Sequence, residues 1–258
     1  MAIPNYVRNQ TIGGTAAAAE IDAGLRAHMN KVYALMGGAM IITALVAYVV
    51  GSDFKAAVAG QPTALIPVSM LEAMFSSPIK WIIMFAPLAV VFGFSAMINR
   101  MSAATAQMVF WGFAALMGLS ISWIFAVFTG ISIAQTFVAT AAGFGAMSLY
   151  GYTTKKDLSG WGRFLMMGVI GLIVASLLNM FFFESSALSF VVSLLGVLIF
   201  AGLTAYDTQN IKNTYLAMRT TPGGEAWLEK GAIMGALSLY LNFLNMFMFL
   251  LQFMGSQE

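Results

Sequence analysis

The sequence predicts an all-α membrane protein with seven transmembrane helices. Three observations carry this. Seven uncharged, mostly apolar stretches, each about 20 residues long, run through the 258-residue chain, and about 20 residues is the length an α-helix needs to cross roughly 30 Å of hydrocarbon. Apolar residues make up 60% of the chain and charged residues only 9%, against about 25% charged in soluble domains, so there is too little charge to cover a water-facing surface. The few Lys and Arg residues fall almost entirely in alternate loops, as expected when a chain threads back and forth through a bilayer.

Taken in order, residues 1–30 are polar and small, with the run Thr15-Ala-Ala-Ala-Ala-Glu20, and hold no apolar core for a signal peptide. They read as a cytoplasmic tail, disordered or loosely helical, ahead of a transmembrane domain over 31–258. Span one is expected at about 32–51, between Lys31 and Asp53. The connection 52–79 contains Pro62, Pro67 and Pro78, and its apolar middle, 65–75, is too short to cross and should lie at the interface or re-enter. Span two, about 81–99 between Lys80 and Arg100, contains Pro87, which should kink it. No charge occurs between Arg100 and Lys155, too long a run for one helix. Thr129-Gly130 is the turn that makes it a hairpin of span three (about 107–128) and span four (about 131–152). Spans five, six and seven are expected at about 164–183, 187–206 (with room to run on to 211) and 232–253.

Orientation follows from charge. Arg8, Arg26, Lys31, Arg100, Lys155, Lys156, Arg163, Lys212, Arg219 and Lys230 fall on one side, and only Lys55 and Lys80 on the other. The positive-inside rule puts the N-terminus in the cytoplasm and, after an odd number of spans, the C-terminus outside.

Composition also excludes function classes. A net charge of +2 with no basic, aromatic-interleaved stripe argues against a nucleic-acid partner. With no Cys and a single histidine, His28, ahead of the first span, neither a thiolate metal site nor a histidine zinc site can be built. A retinal-type receptor needs a lysine in its last span, but the run from Ala232 to Gln257 has none. An intramembrane protease needs paired aspartates, a Ser–His pair or a zinc motif within its spans, so no enzyme and no cofactor are expected. The 20 Met residues are scattered and read as apolar filler. The small-residue pairs Ala201/Ala205 and Gly231/Gly235 read as close helix packing.

Two features could carry chemistry. Asp207 lies where the apolar run of span six turns polar, in Phe200-Ala-Gly-Leu-Thr-Ala-Tyr-Asp207-Thr-Gln-Asn-Ile-Lys212. It is either a solvated helix-end carboxylate or a functional group, the default for an ionisable residue within a span. On span seven, Ser238, Asn242 and Asn245 fall at i, i+4 and i+7, one helical face among Leu, Tyr, Phe and Met. That stripe is either an interhelical hydrogen-bond clamp or a polar path beside Asp207.

These two segments, Leu203-Thr-Ala-Tyr-Asp207-Thr-Gln-Asn-Ile-Lys and Gly235-Ala-Leu-Ser-Leu-Tyr-Leu-Asn242-Phe-Leu-Asn-Met-Phe, resemble the last two helices of the Bax inhibitor-1, or transmembrane Bax inhibitor motif, family. Lys155-Lys-Asp157-Leu-Ser, after span four, is similar to a further landmark, and the resemblance covers about residues 30–254 in the manner of a bacterial-type member. It implies two groups of three helices around a central seventh. It also implies a pH-sensitive calcium leak, suppression of cell death in eukaryotes, or, in bacteria, modulation of a membrane quality-control protease in the inner membrane. The family's sensor is a pair of aspartates on helices six and seven, with an arginine at the cytoplasmic end of helix two as a possible partner. Asp207 matches the first aspartate, and Arg100, after Met97-Ile-Asn99, matches the arginine.

The second aspartate is Asn242 here. Two neighbouring carboxylates share a proton because both cannot ionise cheaply. An Asp–Asn pair lacks that repulsion. Its amide favours an ionised Asp207 while burial opposes it, and one negative charge on a cation path is lost. The expected partners are therefore the lipid bilayer, Ca²⁺ or another cation in transient contact with Asp207, and alternatively a membrane protease complex. On the charge asymmetry, a reporter fused after Glu258 should read as external and one inserted at residue 160 as cytoplasmic; the opposite pattern in a fusion assay would overturn the orientation.

Overall fold

The computed structural model describes residues 5–256, with side chains from residue 21 onward. Among the described residues seven helical segments are long and apolar enough to cross a membrane, and the architecture is all-helical. The helices are α1 (Asn5–Val58), α2 (Val68–Phe75), α3 (Ile79–Met97), α4 (Ala103–Ile121), α5 (Ile124–Val127), α6 (Gly130–Thr153), α7 (Ser159–Leu178), α8 (Ser186–Met218) and α9 (Gly224–Met254). A 3-10 turn, Ile98–Arg100, extends α3, and a π turn, Asn179–Phe183, extends α7.

The expected seven spans are present, but four of them differ from their expected form. α1 has 54 residues, about 80 Å at 1.5 Å per residue, far more than a bilayer needs. It passes without a break through residue 30, and Leu25 and Met29 are buried in the core. Span three is two helices. α4 ends at Ile121, α5 begins at Ile124, and Ser122 between them turns its hydroxyl back to the Leu119 carbonyl at 2.7 Å. Gly51 of α1 accommodates this break, since a Cβ there would lie 2.5 Å from the Ser122 carbonyl oxygen. Span six runs on to Met218, and span seven begins at Gly224, two turns earlier than its apolar stretch. The reversal between them uses Gly223 at φ +75°, a conformation that costs other residues a Cβ clash.

The turn expected between spans three and four is present. Thr129 caps α6, its hydroxyl accepting from Ser132 N at 3.2 Å, and the turn falls at Thr129-Gly130. α3 continues on both sides of Pro87. The apolar middle of the long connection forms the two-turn helix α2, with Leu71 buried and Phe75 against Phe54 of α1. Its entry is held by Asp53, which accepts from the N–H groups of Ala64, Leu65 and Ile66 at 2.7–2.8 Å. Three backbone donors on one buried carboxylate make Asp53 an anchor for the loop rather than merely the border of a span.

Packing sorts the spans into two groups. α1 packs on α4, and α4 on α3; α8 packs on both α6 and α7. α9 lies between the groups, against α1, α4, α6 and α8, and is the most buried of the spans. Tyr240 of α9 is fully buried; its hydroxyl pairs with Thr43 Oγ1 of α1 at 2.6 Å, and Thr43 donates to the Ala114 carbonyl of α4 at 2.8 Å. Small residues set the closest approaches: a Cβ on Gly118 would lie 2.6 Å from the Thr43 carbonyl oxygen, and one on Gly151 would fall on the Ala205 carbonyl.

Gly118→Ala should therefore push α4 from α1 and cost about 1–3 kcal/mol, the usual range for overpacking. Gly143→Ala, on the open face of α6 with nothing within 4 Å, should leave stability unchanged or slightly raised. Thermal unfolding of the two variants in detergent checks the difference.

Candidate functional site: a carboxylate–amide pair between α8 and α9

Asp207 and Asn242 meet. Asn242 Nδ2 donates to Asp207 Oδ2 at 2.6 Å, joining α8 to α9, the two helices with the most extensive mutual packing. Asn242 is 5% exposed and Asp207 partly buried. Because α8 runs on to Met218, Asp207 lies about 16 Å, at 1.5 Å per residue, from the helix end. It therefore lies within the helix and not at its end, and it lines a cavity.

That cavity has a volume of about 170 Å³ and lies between α1, α8 and α9. Asp207 and Ser238 line it, with Asn210 and Thr214 from the next turns of α8. His28 of α1 lines it too, its ring 5.0 Å from that of Tyr215. Sequence reading left His28 outside the site. The signal available was only its position, and nothing in the linear pattern shows that α1 continues as a helix far enough to bring residue 28 beside residue 207.

The remaining expected residues divide. Ser238 faces the cavity with Asp207. Asn245 instead turns its amide to the Leu241 carbonyl of its own helix at 2.8 Å. Arg100 is exposed in the 3-10 turn after α3 and makes no ion pair with Asp207. The neighbouring Asn99 carbonyl accepts from Lys230 Nζ at 3.2 Å, so the end of α3 lies near the start of α9. Among the described residues no group of three or more His, Cys, Asp or Glu side chains could hold a metal ion.

Behind Asp207, a second polar line crosses three helices. Tyr33 of α1 shares a hydrogen bond with Ser148 of α6 at 2.5 Å, and Ser148 with Thr208 of α8 at 3.0 Å. Thr208 and Thr204 each donate to the carbonyl four residues earlier at 2.8 Å. Such back-bonding lets hydroxyls sit inside a bilayer without an external partner. The loop after α6 is clamped on the same helix: Gln209 Oε1 accepts from Leu158 N at 2.8 Å, and Gln209 Nε2 donates to the Lys156 carbonyl at 2.7 Å. In that loop Asp157 accepts from Ser159, which holds its carboxyl below the usual carboxylate range. The segment singled out in the sequence as Lys155-Lys-Asp157-Leu-Ser is thus docked half a turn from Asp207.

The Asp207–Asn242 bond carries an expected outcome. Asn242→Leu leaves the carboxylate without its donor and should cost about 1–3 kcal/mol. Removing both polar groups, in Asp207→Leu with Asn242→Leu, should recover part of that loss, because no partner is then stranded. Thermal melts of the single and double variants decide it; equal destabilisation would separate the two side chains energetically.

Comparison with known proteins agrees with this architecture. The family model described as inhibitor of apoptosis-promoting Bax1 matches residues 25–258. The inner membrane protein YbhL of Escherichia coli (strain K12) is 43% identical over 237 residues, 92% of this chain and 94% of its own. A Rickettsia prowazekii (strain Madrid E) protein is 41% identical over 249 residues, 96% of this chain and 98% of its own. One from Caulobacter vibrioides is 41% identical over 238 residues, 92% of each. With the two signature segments brought together on α8 and α9 and a family match over nearly the whole length, the chain is a multi-pass membrane protein of the Bax inhibitor family.

Proposed function

We propose that this protein passes or regulates cation flux, Ca²⁺ above all, across a bacterial inner membrane, without acting as an enzyme. The N-terminus is taken as cytoplasmic and the C-terminus as external, on the Lys/Arg asymmetry. The observation that carries the reading is a carboxylate held inside the helix bundle by a single neutral donor, with a cavity on its open side. An ionisable group within a span is costly and marks an ion or proton pathway by default. Asp207 is the cation contact and gate carboxylate, and Asn242 is its latch. Arg100, exposed at the end of α3, serves as a counter-charge only after a movement that brings it to the cavity. One carboxylate with hydroxyl and amide oxygens around it suits transient passage rather than the six to eight oxygen ligands of tight Ca²⁺ binding.

A second reading is a non-conducting modulator of a membrane protease. The observation favouring it is α7, the least buried span, whose outward Phe164, Met167, Ile170 and Ile173 offer an apolar face to a neighbouring membrane protein.

Purified protein in Ca²⁺-indicator liposomes separates the two. On the first reading the wild type conducts, Asp207→Asn loses most of the flux, and Asn242→Asp becomes more steeply pH-dependent between about pH 5 and 8 as a coupled carboxylate pair. No flux from the wild type favours the second reading. Flux that is unchanged by Asp207→Asn at every pH returns the pair to a helix clamp.

A further inference from the structure

The polar face of α9 does not end at Asn245. Gln252 lies seven residues further on the same face, and Ser193 Oγ of α8 donates to its Oε1 at 3.2 Å. Two cavities of about 270 and 490 Å³ flank this pair and share Ser189 and Gln252. Asn179, at the π turn after α7, completes the polar wall, donating to Ser189 Oγ at 2.7 Å. No charged side chain lines either cavity. Hydroxyl and amide groups are thus gathered at the ends of three spans, a lining more compatible with water than with lipid.

Between this crevice and Asp207 two aromatic rings, Phe249 of α9 and Phe200 of α8, meet in the seam between the helices. Phe249 lies midway between Asn245 and Gln252, positions about 10 Å apart along the helix. It occupies the space above Gly196, where a Cβ would lie 2.5 Å from the ring. Its other neighbour is Phe200, with ring centroids 5.9 Å apart and planes at 24°. An apolar constriction between two wet chambers blocks ions by dewetting, with no need of a charge.

We propose that the crevice around Ser189, Ser193 and Gln252 is a hydrated vestibule through which a cation reaches Asp207, and that Phe249, seated on Gly196, is the barrier that shuts it. This rests on the cation-path reading, but its test does not depend on flux. The chain has no Cys, so a single introduced thiol reports on water access alone, since only a hydrated thiol ionises and reacts.

In vesicles exposing the C-terminal face, a membrane-impermeant methanethiosulfonate should modify Ser189→Cys on the order of tenfold faster than Leu198→Cys, which is exposed on the lipid-facing side of the same helix. Asn245→Cys, behind the ring, should stay unreactive and become reactive when Phe249→Ala is added. Phe249→Leu, which keeps apolar volume if the alanine variant unfolds, should give an intermediate rate. Equal rates at residues 189 and 198 would overturn the vestibule, and reactivity at residue 245 independent of residue 249 would overturn the barrier. If the labelling pattern holds and liposomes show no flux, the cation reading falls while the wet crevice and its barrier stand.

Discussion

A helix surrounded by other helices inside a bilayer has no lipid against its side chains and no water for its polar groups. The stretch of α9 over residues 239–247 comes nearest to that position. Everything it carries must be satisfied by α1, α4, α6 and α8, and burial of apolar surface cannot drive this as it does in water, because lipid is as apolar as the neighbouring helices. What remains is close packing and specific hydrogen bonds. Tyr240 reaches one side to Thr43 and, through it, to the backbone of α4. Asn242 reaches the other side to Asp207. Two residues apart on one helix, they tie the two three-helix groups to a common axis. Among the described residues no buried side-chain polar atom is left without a partner, as a low-dielectric interior demands.

The electrostatics of the Asp207 site follow from that constraint. A carboxylate facing a second carboxylate would share a proton, and its environment would change charge as one unit. Facing an amide, it meets no second charge and gains one donor. The hydroxyl line through Tyr33, Ser148 and Thr208 touches the adjacent residue of α8 and couples α1 and α6 to the same turn. A shift of α8 relative to α9 would therefore disturb bonds in both helix groups. His28, on the long α1, shares the cavity that leads to this turn.

Much of the fold could be read from the chain. The hairpin turn at Thr129-Gly130 follows from charge-free length, and the apolar segment 65–75 was legible as too short to cross, though its helix was not. The i, i+4, i+7 spacing placed Ser238 and Asn242 on one face, and both reach the surroundings of Asp207. Other features had no linear signal. The break at Ser122 packs against Gly51 of α1, a contact between residues far apart in the chain. Asp53 resembles any span-border acid until three backbone N–H groups of a loop 11–13 residues later close on it. Asn245 has the right spacing for the polar stripe but bonds to the backbone of its own helix.

The sequence by itself determined the class, the number of spans and the segments that carry the family signature. These depend on local composition, since a bilayer accepts only segments that are apolar for their whole length and satisfy their own backbone. Tertiary structure alone decided which polar groups meet. Helical spacing shows which residues share a face, but not which neighbour that face receives, nor how far along its axis. That register was settled by small residues and buried hydroxyls spread over four helices, and it is what sets the amide of Asn242 2.6 Å from Asp207 while leaving Arg100 at the surface.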